Sequence, residues 1–68
     1  MLEFKLTEDF IELYKLLKVM GLCGSGGEAK QAVAAGYVTV NGEIEKRKGC
    51  KIRSGSSVSF NSETILVK

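Results

Sequence analysis

Gly36-Tyr37-Val38-Thr39-Val40-Asn41-Gly42-Glu43-Ile44-Glu45 carries the clearest structural pattern in the chain. Apolar and polar residues alternate on both sides of Asn41-Gly42, the period of two that sends successive side chains to opposite faces of a strand. A two-residue turn that matches the twist of its strands needs φ > 0 at both central positions, and Asn-Gly meets that need readily. The segment is therefore read as a tight β-hairpin, entered through Gly36 from a preceding helix.

That helix opens at Ser25, which stands three residues before Glu28 as a capping box, and it is predicted to run to about Ala35. Ala29, Ala32 and Val33 form its apolar side, while Gly27, Lys30, Gln31 and Ala34 leave a nearly flat outer face with one cation. Gly26 and Gly27 fill its first positions, where glycine costs up to about 1 kcal/mol relative to alanine, less near a helix end. Violations of a local rule tend to mark function. Two readings compete: bare glycines leave the free N–H groups of the helix start open to a phosphate, or the loop is under tight steric limits. A nucleotide-triphosphate loop is disfavoured, because the Gly-Lys-Ser/Thr ending is missing and no strong strand precedes it.

Further upstream, Leu2-Glu3-Phe4-Lys5-Leu6 alternates as a short strand. A first helix is predicted from Thr7 as N-cap to Gly21 past its end, with Glu8 and Asp9 in its first turn. Phe10, Leu13, Tyr14, Leu17 and Met20 form its buried stripe, widened by Ile11, Leu16 and Val19. Downstream, Cys50 to Arg53 and Ser57 to Phe60 alternate around Ser54-Gly55-Ser56, and a last strand is predicted from Thr64 to Val67. Val38, Val40, Ile44, Cys50, Ile52, Val58, Phe60, Ile65 and Val67 are expected to face inward, leaving Lys48, Lys51 and Arg53 in one outward row. The fold class is α+β, with two N-terminal helices packed on a small, mostly antiparallel sheet of about four to five short strands. Residues 1–68 are read as one domain.

Composition narrows the function. The 68 residues are 44% hydrophobic and 26% charged with no proline, the balance of an ordinary folded chain. A core of this size contributes about 3–5 kcal/mol of net stability and leaves no room for a large cofactor-binding architecture. There is no histidine, which removes the commonest general base, and so little concave volume is available to tune other groups that an enzyme is not expected. Cys23 and Cys50 stand far apart and read as small reduced hydrophobes; no metal site and no cofactor are expected. No apolar run suits a membrane span and residues 1–6 do not resemble a secretory signal, so a cytoplasmic protein is expected.

The net charge of +2 conceals an asymmetry. Residues 1–43 carry four lysines against six carboxylates, a net of −2, whereas residues 44–68 carry six cations against two carboxylates, a net of +4. Five of those cations, Lys46, Arg47, Lys48, Lys51 and Arg53, are clustered, which suggests an anionic partner; a solvated basic loop is the plainer alternative.

Strand, helix, glycine-rich turn, short helix and then Gly36-Tyr37-Val38-Thr39-Val40-Asn41-Gly42 resemble the RNA-binding domain named after ribosomal small-subunit protein S-four. Ser25-Gly26-Gly27-Glu28-Ala29-Lys30 and the run from Glu43 to Lys51 are similar to its stand-alone bacterial YbcJ-like branch. The resemblance implies a helix and hairpin forming an L-shaped cradle for structured RNA, ribosomal or transfer RNA, in a ribosome-associated protein. By position it implicates Ser25, Gly26, Gly27, Lys30 and Gln31 on the helix, Asn41 at the turn, and Lys46, Arg47, Lys48, Lys51 and Arg53 beyond it. Two departures stand out: Gly26 replaces an arginine common in relatives, and Gly55-Ser56 replaces the usual Gly-Asp.

Phosphate neutralisation would supply the affinity. Of five aromatic residues, the pattern buries all but Tyr37, so recognition by RNA shape with low sequence preference is expected. Tyr37 is expected to cover the hairpin, with stacking on a base as the alternative. The expected state is a monomer with no membrane partner and no small-molecule substrate. A protein-interaction adaptor docking through the Gly27-Lys30-Gln31-Ala34 face is the first rival reading, and an RNA-modifying enzyme lacking its catalytic part is the second.

Overall fold

A computed structural model describes residues 1–68. In chain order the elements are β1 (Leu2–Phe4), β2 (Ile11–Glu12), α1 (Leu13–Val19), α2 (Gly26–Ala34), β3 (Val38–Val40), β4 (Glu43–Ile44), β5 (Lys51–Ile52), β6 (Ser57–Phe60) and β7 (Glu63–Val67). Five strands form one sheet in the order β1-β7-β6-β3-β4, and β2 and β5 form a separate two-stranded ribbon. Only β1 and β7 run parallel; the other pairs are antiparallel, in keeping with the α+β reading.

The hairpin forms as its sequence requires. Val40 pairs with Glu43 across a two-residue turn in which Asn41 and Gly42 take φ of 52° and 86°. Directly opposed residues share a face, so Val38 with Phe60, and Val40 with Val58 and Ile65, make one apolar side. Val38, Val58, Ile65 and Val67 are buried there in one core with Leu13, Leu16 and Leu17 of α1 and Ala29 and Val33 of α2. The other side carries hydroxyls, with Ser59 Oγ and Thr64 Oγ1 3.1 Å apart. No polar or charged side chain is buried.

The same pairing corrects one expected core residue. Ile44 lies opposite Thr39 on the hydroxyl side and is 63% exposed, because a two-residue turn gives Val40 the partner Glu43 and turns Ile44 outward. Val40, Cys50 and Phe60 are half-buried at the core margin. Tyr37 does not cover the hairpin; it stands 70% exposed.

The first helix begins six residues later than its apparent cap at Thr7. Residues 11–12 are taken instead by pairing with Lys51–Ile52, and the helix start is capped by that neighbouring segment. Leu13 N–H donates to the Cys50 carbonyl at 2.9 Å and Tyr14 N–H to the Lys48 carbonyl at 3.2 Å, while Glu12 makes no side-chain cap. Glu8 and Asp9 accordingly lie outside the helix, and Val19, expected on the apolar face, is exposed. The second helix is closer to expectation. Ser25 Oγ accepts the Glu28 N–H at 3.1 Å, and Glu28 Oε2 reaches one residue past the usual partner to accept the Gly24 N–H at 2.8 Å.

Both helices stop by the same device. Gly21 N–H donates to the Lys18 carbonyl and Leu22 N–H to that of Leu17; Gly36 N–H donates to Val33 and Tyr37 N–H to Ala32. With φ of 76° at Gly21 and 85° at Gly36, each is a left-handed glycine closing a Schellman turn. At Gly36 an added Cβ would also stand 3.4 Å from Lys46 Cε. Gly36→Ala is expected to cost about 1–2 kcal/mol; a thermal melt should show a midpoint lowered by about 4–8 °C per kcal/mol.

Candidate nucleic-acid interface

Tyr14 joins the two halves of the site implicated by the sequence. Its N–H is bound to the carbonyl of Lys48, and its ring lies beneath Lys30 of α2, with Nζ 4.7 Å from the ring centroid. Lys15 Nζ is 6.0 Å from the same ring and pairs with Glu12 at 3.0 Å. Next to it the β2–β5 ribbon brings Lys51 and Arg53 over Phe10, with Lys51 Nζ 4.9 Å and Arg53 Cζ 5.7 Å from that ring centroid. Each such contact is worth about 0.5–1 kcal/mol at an exposed position. It also restricts long side chains that would otherwise lose more entropy on meeting an anion.

The glycines at the start of α2 are not demanded by the fold. Neither Gly26 nor Gly27 has a positive φ. A Cβ on Gly26 would meet the Tyr14 ring at 3.9 Å, ordinary contact, and one on Gly27 would meet only Ser25 Oγ, at 4.0 Å. The steric-limit reading of these two positions therefore fails, and what remains is a helix start left bare at a cost in helix propensity. Gly27, Lys30, Gln31 and Ala34 are all exposed, giving the flat outer face expected of α2.

Other implicated residues are placed differently. Lys46 Cε lies against Gly36, so this cation sits at the C-terminal end of α2, away from Gly26. Arg47 is bound to its neighbour Glu45, Nε to Oε2 at 3.0 Å and Nη2 to Oε1 at 3.3 Å, with the Arg47 N–H also donating to Oε2. Its charge is already partnered. Asn41 Oδ1 accepts the Ser57 N–H at 2.9 Å and Asn41 N–H donates to the Ser57 carbonyl, so Asn41 fastens the hairpin tip to β6. Lys48, Lys51 and Arg53 are exposed. Glu8, Asp9 and Glu12 line a shallow hollow with Phe10 and Lys15, an acidic border to the cationic surface. Phe10 and Tyr14 are the residues that sequence reasoning assigned to the core alone; both are half-buried and carry cations on their outer sides.

A scan against family models matches residues 4–68 to the S4 domain. The chain belongs to the S4 domain family. Among curated proteins, the Escherichia coli (strain K12) protein named "Putative RNA-binding protein YbcJ" is 47% identical over 57 residues, spanning 84% of this chain and 81% of that protein. YbcJ of Shigella flexneri matches to the same extent. Among solved structures, the solution structure of YbcJ from E. coli, described as revealing an "alfaL" motif involved in RNA-binding, superposes with a TM-score of 0.75. It is 44% identical and covers 98% of this chain and 86% of its own. The S4 domain expected from the helix and hairpin motifs is thus the family found.

Within this S4 domain the Glu45–Arg47 pair has a pH signature. The hydrogen bonds from the Arg47 side chain and backbone hold the Glu45 carboxyl down at about 2. A carboxylate depressed in the folded state stabilises it above the ordinary carboxylate range, and that contribution is lost as pH falls from about 4.5 towards about 2. NMR titration of the Glu45 side chain should show the low midpoint, and Arg47→Ala should return it towards the ordinary value.

Proposed function

We propose that residues 1–68 act as a single, non-catalytic module that binds structured RNA, ribosomal or transfer RNA, through its phosphates. The observation that carries this reading is the convergence on Tyr14: its ring lies under Lys30 of α2, close enough to the helix start that a Cβ on Gly26 would stand 3.9 Å away, while its backbone N–H holds the Lys48 carbonyl. Bare N–H groups at Gly26 and Gly27, with Ser25 and Gln31 beside them, would seat one phosphate. Lys30, Lys48, Lys51 and Arg53 would neutralise its neighbours. Lys46 would add a contact at the far end of α2, and Arg47 would add one on leaving Glu45. Asn41 serves by holding the hairpin in place.

Membership of the S4 domain family and the RNA-binding name of a bacterial relative support an RNA partner. The absence of histidine supports a binding role rather than a catalytic one. On this reading the protein works as a monomer in the bacterial cytoplasm, in association with the ribosome. No helix is long and apolar enough to cross a membrane.

Roughly four to six neutralised phosphates give a log K against log salt slope of about −3 to −5. An anisotropy titration against structured RNA at several salt concentrations should show it, and a flat dependence would favour the adaptor reading. Lys48→Ala with Lys51→Ala should make the slope shallower by about 2 while costing no more stability than the Lys51–Phe10 contact, about 0.5–1 kcal/mol. The glycines should behave in the opposite sense. Gly26→Ala and Gly27→Ala together are expected to raise stability by up to about 1–2 kcal/mol while weakening RNA binding. A raised melting temperature with unchanged affinity would remove the helix start from the site.

A further inference from the structure

At the end of α2 remote from Gly26 the surface changes character. Tyr37 leaves the Schellman turn with its N–H bound to Ala32 at 3.1 Å, and the next residue, Val38, is fully buried opposite Phe60. The backbone at Tyr37 is thus held on both sides, yet its side chain is 70% exposed and contributes little to the core. Across the ladder the β6–β7 turn is equally defined: Asn61 and Ser62 take φ of 54° and 70° between the paired residues Phe60 and Glu63. Tyr37, Phe60 and Asn61 line an open hollow of about 390 Å³.

Two aromatic rings and a carboxamide are the groups that readers of unpaired RNA present to a nucleobase: rings for its face, amide for its edge. Both side chains that project most, Tyr37 and Asn61, stand on turns already fixed in the folded chain, so little ordering is needed on binding. No carboxylate lines the hollow. A cation is close at hand, because the Lys46 stem crosses Gly36, the residue before Tyr37. The hollow thus has one cation of the basic segment beside it and the chemistry of a base site.

We propose that this hollow is a second RNA subsite, which takes one unpaired nucleobase of a folded RNA against Tyr37 and Phe60, with Asn61 at the base edge and Lys46 on the adjoining phosphate. The proposal rests on the RNA-binding reading above and adds to it a preference for helices interrupted by an unpaired nucleotide. Perfect duplex would engage the phosphate contacts alone.

The test uses the full chain and two RNA hairpins that differ by one bulged 2-aminopurine. Wild type should bind the bulged hairpin more tightly by about tenfold, the order expected for one stacked base, and should quench the probe's fluorescence. Tyr37→Ala should lose both the preference and the quenching while keeping duplex affinity, salt slope and melting temperature; Tyr37→Phe should keep both. Asn61→Gly, which preserves the turn, should weaken the preference. Salt-dependent binding of both hairpins with no preference, or a preference and quenching that survive Tyr37→Ala, would overturn the subsite and leave the phosphate-binding reading standing. Binding of neither hairpin in a salt-dependent way would overturn that reading, and the subsite with it.

Discussion

Two backbone hydrogen bonds, from Leu13 to the Cys50 carbonyl and from Tyr14 to the Lys48 carbonyl, do for α1 what a capping side chain does elsewhere. A helix start leaves N–H groups that must find acceptors, and here the acceptors belong to the basic segment. Ile52, buried in the core, and half-buried Cys50 anchor one end of that segment; Lys46 to Gly49 are exposed and in no strand, and these carbonyl bonds help to hold them. By closing the helix the segment becomes fixed beside α1, and through Tyr14 beside α2. The position of the cations therefore depends both on how the first helix begins and on the burial of Ile52 between Lys51 and Arg53.

The surface that results is built on two half-buried rings. Tyr14 packs against the core and carries Lys30, while half-buried Phe10 carries Lys51 and Arg53. Like charges gathered on a small domain repel one another. Ring contacts and the tethered backbone offset part of that repulsion before any anion arrives. The glycines at the head of α2 show the opposite compromise: helix propensity is given up at positions where the fold would accept alanine. Such a sacrifice is intelligible when something must approach the backbone closely.

Local signals were legible in the sequence and distant ones were not. Asn41-Gly42, the Ser25–Glu28 cap and the glycines that end both helices are settled by residues within a turn of one another, and each appears as read. Thr7 misled because the true cap of α1 is supplied from Lys48 and Cys50, far along the chain and by carbonyls that any residue type carries. Ile44 could have been placed correctly, since parity across a two-residue turn assigns it to the face of Thr39. In the candidate site, the exposed face of α2 followed from helical spacing. The Asn41–Ser57 bond, the stacking of Lys51 and Arg53 on Phe10 and the separation of Lys46 from Gly26 depend on tertiary pairing that no local pattern encodes. The Glu45–Arg47 pair is local, yet a count of charges does not reveal it.

On the proposed function, the α2 start and the basic segment form one RNA surface joined at Tyr14. It is tested most directly by titrating ¹⁵N-labelled protein with a structured RNA and following the backbone amides. Residues 25–31 and 46–53 should shift together with a single dissociation constant, while Thr39, Ser59 and Thr64 on the hydroxyl side of the sheet stay unmoved. Shifts confined to one of the two segments, or centred on the sheet's hydroxyl side, would contradict it.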